Sequence, residues 1–315
     1  MKYRYIIAGG ILTIGLVTAI SLTACNGETE SVENNTGCTD CHNETTLVLT
    51  HTLEWEHSVH ATGTAYERST SASCAGCHSS EGFTAMLAAD SNPGEVTEGE
   101  TNPSPPNCRT CHEIHTSYTI DDFALRATKP LTLNTSGEKY DFGDGNLCAS
   151  CHQPRSNPPV VGEGDVEVNS THWGPHHGVQ ATSFIGVGGY GVEPSKSRPH
   201  YESVSNGCPQ CHMVNNRHEM EPDITSCQIC HADIESFDYH GVQTEVEGML
   251  AKLEGLLETK GLLEDGHPVV GTYPEEQAGA LWNYIAVVED GSLGVHDADF
   301  IKAILQVGID ALSSQ

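Results

Sequence analysis

Apolar residues recur at helical spacing in the last quarter of the chain. The first such segment predicts an amphipathic helix from Val242 to about Leu263. A second helix is predicted from Pro274 to Glu289, with the proline at or near its first position, and a third from about Asp297. The positions expected to face inward are Val242, Val246, Met249, Leu250, Leu253, Leu256, Leu257, Leu281, Trp282, Ile285, Ala286, Phe300, Ile304, Leu305 and Leu312.

These helices are expected to pack as a helical cap over residues 241–315, and a dimerisation face is the alternative. Residues 38–240 show a different pattern, because two stretches rich in proline and glycine, Ser91–Asn107 and Gln153–Asn169, interrupt any long element. The predicted fold class is therefore mainly α with much irregular loop. Aromatic residues make up only 6% of the chain, so we expect something other than side chains to fill the interior of this body.

The chain begins with the pattern of a bacterial export signal. Lys2 and Arg4 form a positive region, and an apolar run extends from about Ile6 to Leu22. A transmembrane helix is disfavoured because the run is short, contains three glycines and ends in small residues. The residues Leu22-Thr-Ala-Cys25 resemble the lipobox at which bacterial lipoproteins are cleaved and acylated on cysteine.

We therefore predict a signal peptide at residues 1–24, lipidation of Cys25 and a polar tether over residues 25–37. The alternative is ordinary cleavage that leaves Cys25 as a free thiol. The prediction places the protein outside the cytoplasm, anchored to a membrane by lipid. Asn26 stands where some inner-membrane lipoproteins have aspartate, which favours the outer membrane, at its periplasmic face or at the cell surface.

One motif, C-x-x-C-H, accounts for every cysteine except Cys25. Two thiols three residues apart lie on one face of a helical turn, where both can form thioether bonds with haem vinyl groups. The following histidine is then held beneath the iron as its proximal ligand. The thioether pairs are Cys38 and Cys41, Cys74 and Cys77, Cys108 and Cys111, Cys148 and Cys151, Cys208 and Cys211, and Cys227 and Cys230; the proximal histidines are His42, His78, His112, His152, His212 and His231.

Three other uses of a C-x-x-C pair are known: a thioredoxin-like redox centre, half of a zinc site, and a structural disulfide in an exported protein. None of the three requires a histidine directly after the second cysteine. Because all six copies carry that histidine, the sequence predicts six covalently attached haem c groups, which would form the core of residues 38–240.

Twelve further histidines lie outside the motifs, twice the number that six distal positions need. Every iron could therefore have histidine on both faces. Methionine is the weaker candidate, because few methionines remain after processing and a methionine ligand would raise the reduction potential. From spacing alone, the distal partner of each haem stays undetermined.

Several stretches beside the motifs resemble multihaem c-type cytochromes. They are similar to the pentahaem nitrite reductases, the octahaem hydroxylamine oxidoreductases and the outer-membrane cytochromes of metal-reducing bacteria. The stretches are Trp55-Glu-His-Ser-Val-His60-Ala, His112-Glu-Ile-His115, His172-Trp-Gly-Pro-His176-His177-Gly, His200 before Cys208, His218 before Cys227, and Asp290-Gly-Ser-Leu-Gly-Val-His296.

The resemblance implies distal ligands for most of the haems. A family-like ending would be Gly-Val-His-Asn, whereas this chain has Asp297 after the histidine. His51, His57, His240 and His267 are predicted to be surface or haem-edge residues. The implied ligands are His60, His115, His200, His218 and His296, with at least one of His172, His176 and His177.

The formal charge of −29 disfavours nucleic acid as a partner, because an acidic surface repels phosphate. The leading hypothesis is an electron carrier that uses six mostly bis-histidine haems in anaerobic or extracellular respiration. Its predicted partners are redox proteins or extracellular mineral acceptors. One alternative is a reductase of a small nitrogen or sulfur oxyanion, which needs an open iron position; the C-x-x-C-K motif of nitrite reductases does not occur here. Another is assembly of copies into a homo-oligomer or filament, or docking in an outer-membrane conduit.

Overall fold

The computed structural model describes residue 42 and residues 47–91, 98–196 and 198–313. These residues lie in one compact unit that spans Thr36–Gln315. The predictions for the signal peptide, Cys25, the tether, Cys38 and Cys41 lie outside the described residues. In the described ranges, no helix combines the length and hydropathy that a membrane crossing requires.

Short helices and loops make up the region before residue 240, as predicted from its proline and glycine content. The longest of these helices has only ten residues. The α-helices are α1 (Leu47–Glu56), α2 (Val59–Thr62), α3 (Ala72–His78), α4 (Ser80–Ala88), α5 (Cys108–Cys111), α6 (Gly145–Ala149), α7 (Gln180–Phe184), α8 (Pro199–Ser203), α9 (Pro209–His212) and α10 (Ile224–Cys227), and 3₁₀ turns cover Ala65–Thr70, Ile120–Phe123, Val214–Asn216 and Tyr239–Gly241.

Among the described residues, strands form three small antiparallel ribbons. Strands β1 (Leu131–Thr132) and β2 (Lys139–Tyr140) pair with each other, as do β4 (Leu263–Glu264) and β5 (His267–Pro268). Strand β3 (Val166–Val168) pairs with β6 (Gly271–Tyr273), with Val166 opposite Tyr273. This last ribbon joins a loop of the motif-bearing region to the segment between the C-terminal helices.

Three long helices end the chain: α11 (Val242–Thr259), α12 (Glu275–Asp290) and α13 (Ala298–Ser313). Their existence and approximate starts confirm the prediction from apolar spacing. The helices pack together around Leu253, Leu281, Ile301 and Leu305, which are fully buried. Burial of such side chains is what stabilises helices of this length.

The predicted end of the first C-terminal helix, near Leu263, is wrong. The helix stops at Thr259 because Gly261 adopts a left-handed φ of 69°. The amides of Gly261 and Leu262 close the end by donating to the carbonyls of Glu258 and Leu257, at 3.0 and 2.9 Å. Leu262 and Leu263 are still buried, so the apolar pattern continued after the helix had ended.

Helix α12 also packs against the loop around residue 190. The Asn283 amide accepts from the backbone N–H of Tyr190 at 2.8 Å and donates to its carbonyl at 3.1 Å. The Trp282 indole donates to the carbonyl of Gly188 at 3.1 Å. Gly279 permits this approach, since a Cβ there would lie 2.1 Å from the Tyr190 ring. The C-terminal helices are therefore fixed to the motif-bearing region by buried polar contacts.

Candidate haem sites

Each described C-x-x-C-H motif forms one helical or hydrogen-bonded turn of the chain. In four of them the histidine amide donates to the carbonyl of the first cysteine, at 2.8 to 2.9 Å: His112 to Cys108, His152 to Cys148, His212 to Cys208 and His231 to Cys227. The fifth lies within α3. A turn of this kind brings both thiols and the imidazole to one side, which is the arrangement that haem attachment needs.

Each of the six motif histidines faces a second histidine ring. The six partners come from loops and short helices elsewhere in the chain. In motif order the pairs, measured between ring centres, are site 1 (His42 and His115, 5.9 Å), site 2 (His78 and His176, 6.0 Å), site 3 (His112 and His218, 6.2 Å), site 4 (His152 and His60, 6.1 Å), site 5 (His212 and His296, 6.5 Å) and site 6 (His231 and His200, 6.3 Å).

This spacing fits one iron between each pair of rings. An imidazole nitrogen lies about 2 Å from a metal that it binds, and about 1 Å from its own ring centre, so two imidazoles on opposite faces of one metal have centres about 6 Å apart. The six observed separations all lie close to that value. The donor set, two imidazoles and two neighbouring thiols, is the one that haem c uses.

Of the three histidines in the His172–Gly178 stretch, His176 is the one whose ring faces a motif histidine. The His177 ring lies 4.6 Å from that of His176, and its Nδ1 pairs with Glu289 at 2.6 Å. The His172 ring lies 5.8 Å from that of His267, on the surface. The structure thus separates three neighbours that the sequence left equivalent.

The histidines predicted to have surface or haem-edge positions have other neighbours. His51 pairs with Glu54 at 2.9 Å, and its ring lies 4.2 Å from that of His218, too close for the two imidazoles to bind opposite faces of one iron. His57 is exposed and bonds the carbonyl of Leu53 in the preceding helix, α1. His240 packs on Tyr239.

Hydrogen bonds at Nδ1 orient many of the paired rings. Four of the rings donate from Nδ1 to a backbone carbonyl oxygen: His112 to Phe123 (2.7 Å), His200 to Val295 (2.7 Å), His218 to Asn216 (2.7 Å) and His212 to Met220 (3.2 Å). The Nδ1 of His152 bonds the Gln180 side chain at 3.2 Å. A ring whose Nδ1 carries the proton presents its other nitrogen, Nε2, to a metal.

Burial keeps several of these imidazoles neutral, which metal binding requires. Burial, followed by repulsion from His152, lowers the pKa of His60 to about 4. Burial, followed by repulsion from His177, lowers the pKa of His176 to about 4. Burial is also the main cause of the lowered pKa values of His78, His212 and His218.

His296 differs because its Nδ1 bonds a carboxylate. The Asp290 Oδ1 lies 2.7 Å from that nitrogen, and the Asp290 side chain is completely buried. Burial by itself would raise the pKa of Asp290 and lower that of His296. Charge attraction and hydrogen bonding between the two groups, with further hydrogen bonds from Ser292 and Ser183 to Asp290, together outweigh it. The pKa of Asp290 is therefore lowered and that of His296 is raised.

The loop that carries His115 is fixed by Asp122. His115 has a left-handed φ of 62°, an uncommon conformation for a residue with a side chain. The buried Asp122 carboxylate accepts from the amides of His115 (2.8 Å), Ser117 (2.6 Å) and Tyr118 (3.1 Å). This carboxylate holds the strained residue in place.

The attachment turns of different sites contact one another. The Cys77 side chain of site 2 neighbours that of Cys151 in site 4, and Cys148 of site 4 neighbours Cys208 of site 5. Cys151 Sγ also lies 3.8 Å from the carbonyl oxygen of Gly76, inside the site 2 turn. Cys211 of site 5 bonds Ser226, next to the first cysteine of site 6. Cys111 of site 3 is close enough to Cys148 and Cys151 to interact electrostatically. Sites 1 and 3 share the segment from His112 to His115.

Sequence reasoning missed Asp122, Asp290 and Met220. Met220 Sδ lies 2.8 Å from His60 Nδ1, and its carbonyl accepts from His212, so this residue lies between sites 4 and 5. Asp290 begins the stretch that contains the predicted ligand His296, six residues later. Nothing in the spacing indicated that the two side chains meet.

Two solved structures share this fold. The outer cell wall cytochrome OcwA aligns with a TM-score of 0.52 and 24% identity, over 82% of this chain and 49% of its own. The undecahaem cytochrome from the S-layer of Carboxydothermus ferrireducens aligns with a TM-score of 0.52 and 18% identity, over 82% of this chain and 40% of its own. The chain therefore has a multihaem cytochrome fold.

The chain spans 49% and 40% of the lengths of these two neighbours. No protein-family model and no curated protein matches it. The predicted relation to nitrite reductases and hydroxylamine oxidoreductases stays a prediction.

Proposed function

We propose that this chain is a six-haem c-type cytochrome that passes electrons between redox partners in the cell envelope. The observation that carries the proposal is the second imidazole opposite every motif histidine, at sites 1 to 6. Haem iron supplies a one-electron couple. The chain's own residues attach the six groups, orient their axial nitrogens and set the polarity around them.

Histidine on both faces of every iron favours a carrier over an enzyme. A reductase of a small oxyanion needs one iron with an open position for its substrate. Each of the six sites has a candidate for that position: His115, His176, His218, His60, His296 and His200. The carrier role requires only that an iron gain and lose an electron without changing its ligands.

The contacts between attachment turns support a branched path for electrons between the six sites. Site 4 adjoins site 2 through Cys151, site 5 through Cys148, and site 3 through the neighbourhood of Cys111. Site 1 continues from site 3, and site 6 continues from site 5. Electrons that enter at one end can therefore reach the others through site 4.

The proposed location is the cell exterior or the periplasmic face of the outer membrane, with a lipid anchor at Cys25. The export pattern of residues 1–24 supports it, as do the cell-wall and S-layer origins of the two structural neighbours. The formal charge of −29 favours a redox partner with a basic docking face or a cationic metal acceptor.

Reoxidation kinetics of the purified holoprotein test the role. After reduction by dithionite, we expect complete and rapid reoxidation by a soluble ferric chelate. With nitrite, hydroxylamine or sulfite, we expect no sustained turnover when a reductant is supplied. Sustained turnover of any of these, together with a high-spin ferric signal of one per chain, would instead establish the oxyanion reductase.

A further inference from the structure

Site 5 is the pair whose ring donates directly to a buried carboxylate. Asp290, the last residue of α12, lies 2.7 Å from His296 Nδ1 through Oδ1. The opposite oxygen, Oδ2, accepts from the Ser292 hydroxyl and, at 3.4 Å, from the Ser292 amide. The Ser183 side chain also bonds the carboxylate.

The other oriented rings bond neutral acceptors. His112, His200, His212 and His218 donate to backbone carbonyls, and His152 bonds an amide. Glu54 Oε2 lies 3.8 Å from His218 Nδ1, but that nitrogen bonds the Asn216 carbonyl at 2.7 Å, and Glu54 itself bonds His51 at 2.9 Å.

A fully charged acceptor for the hydrogen bond of an axial imidazole changes the reduction potential of the iron that the ring binds. It makes the ring a stronger donor, and it stabilises the more positive ferric state by Coulomb attraction. Water screens that attraction little, because the carboxylate is buried. Hydrogen bonding to an axial ligand is one of the means by which a protein sets a haem potential.

We infer that Asp290 is a positioning residue that lowers the reduction potential of the haem at site 5 by holding His296 through a charged hydrogen bond. Site 5 lies between sites 4 and 6 in the proposed path. Electrons that pass along that branch therefore cross the haem at site 5, whose reduction Asp290 makes less favourable. This inference rests on the proposed ligation at site 5.

A redox titration of Asp290→Asn, monitored by visible and magnetic circular dichroism spectra, tests this inference. Asparagine keeps the size and a carbonyl acceptor but removes the charge. We expect the equilibrium constant for reduction of one haem to rise at least tenfold, which is an increase of about 59 mV in the reduction potential of a one-electron couple. His296→Met marks that haem in a parallel titration, because a methionine ligand moves the site 5 potential upward.

Ser292→Ala gives a second test with the opposite sign. Ser292 donates to Asp290, so its removal leaves more negative charge on the bond to His296 and lowers the site 5 potential further. This variant keeps the carboxylate, so it reports on the inference even where Asp290→Asn loses the site 5 haem. Asp290→Glu restores the charge, and we expect it to return the potential toward that of the unmodified protein.

Glu289→Gln is the matched control. This carboxylate precedes Asp290 on the same helix but pairs with His177, so the site 5 potential should stay unchanged. The inference is overturned if Asp290→Asn keeps six low-spin haems with an unchanged site 5 potential, or if Ser292→Ala leaves that potential unchanged or raises it. A wild-type protein without low-spin haem at site 5 would instead overturn the proposed function.

Discussion

At the residue scale, two of the candidate ligands, His115 and His176, have left-handed backbone conformations, with φ of 62° and 72°. Such a conformation costs free energy and persists where surrounding contacts impose it. For His115 those contacts come from the buried carboxylate of Asp122. Both histidines can therefore face a motif ring from a loop, without a helix to support them.

Asp122→Ala is expected to release the loop that carries His115. Three backbone amides would lose their acceptor, and His115 could relax to an ordinary conformation away from His42. Electron paramagnetic resonance of the oxidised protein should then show one high-spin haem per chain. Asp121→Ala, at the exposed neighbouring position, should leave all six low-spin, and the same result for Asp122→Ala would contradict this role.

His176→Gly is expected to open one coordination position at site 2 and to produce a single high-spin signal. His172→Ala and His177→Ala are matched controls from the same stretch, and both should keep six low-spin haems. The His177 ring instead pairs with Glu289, and the His172 ring faces His267. Loss of a low-spin haem in either control, with none lost in His176→Gly, would show that the site 2 assignment is wrong.

At the scale of elements, the C-terminal helices form a conventional hydrophobic core, whereas the region before them is built of short turns. Leu253 of α11 is fully buried, and its Cδ2 would lie 2.9 Å from a Cβ at Gly308 of α13. The absence of a side chain at Gly308 allows the two helices to approach. Packing between these helices is therefore sensitive to small changes in volume.

Leu253→Ala should lower the free energy of unfolding by about 3 kcal/mol, because it removes buried methyl groups and leaves a cavity. Lys252→Ala, one residue earlier and exposed, should change that free energy by less than about 0.5 kcal/mol. Guanidinium unfolding followed by far-ultraviolet circular dichroism measures both values. Equal effects of the two substitutions would contradict the helix packing described above.

The sequence predicted the three long helices well because their apolar spacing reflects burial along one face. It misplaced the end of α11, since Leu262 and Leu263 continue the apolar pattern after Gly261 has turned the chain. The attachment cysteines and motif histidines could be predicted because covalent chemistry requires a fixed local spacing.

The pairing of rings could not be predicted, since it joins residues that are far apart in sequence, such as His60 and His152. Three-dimensional proximity is what distinguishes His176 from His172 and His177. The contact between Asp290 and His296 was hidden for the same reason, because a helix end and a loop must fold back on each other to form it.

At the scale of the whole molecule, the proposed path has its branch point at site 4. Reduction of one haem adds negative charge, which makes reduction of its neighbours harder. His60→Met should raise the site 4 potential and fill that site first in a redox titration. We then expect downward shifts at sites 2, 3 and 5, and smaller shifts at sites 1 and 6.

The matched control for this prediction is His176→Met. Site 2 adjoins site 4 through the contact between Cys77 and Cys151, so its early reduction should shift site 4 most. Equal shifts at all five remaining haems in His60→Met would contradict a branch at site 4.

Stability should also depend on pH through the buried histidines. His60 and His176 have folded pKa values of about 4, below the ordinary value of 6.5. Between these values the unfolded chain binds more protons, and an imidazole held by iron would bind none in the folded state. The free energy of unfolding therefore falls as the pH falls from 6.5 to 4. Denaturant midpoints measured from pH 7 to pH 4 should decrease, and a constant or rising midpoint would contradict this account.

In the proposed cytochrome each of the six motif histidines shares an iron with a second histidine. Quantitative electron paramagnetic resonance of the fully oxidised protein counts these sites, when the spin count is compared with the protein concentration. We predict six low-spin ferric haems per chain and no stoichiometric high-spin signal. Fewer than six low-spin haems, or one high-spin iron in every chain, would show that the second histidines are not all ligands.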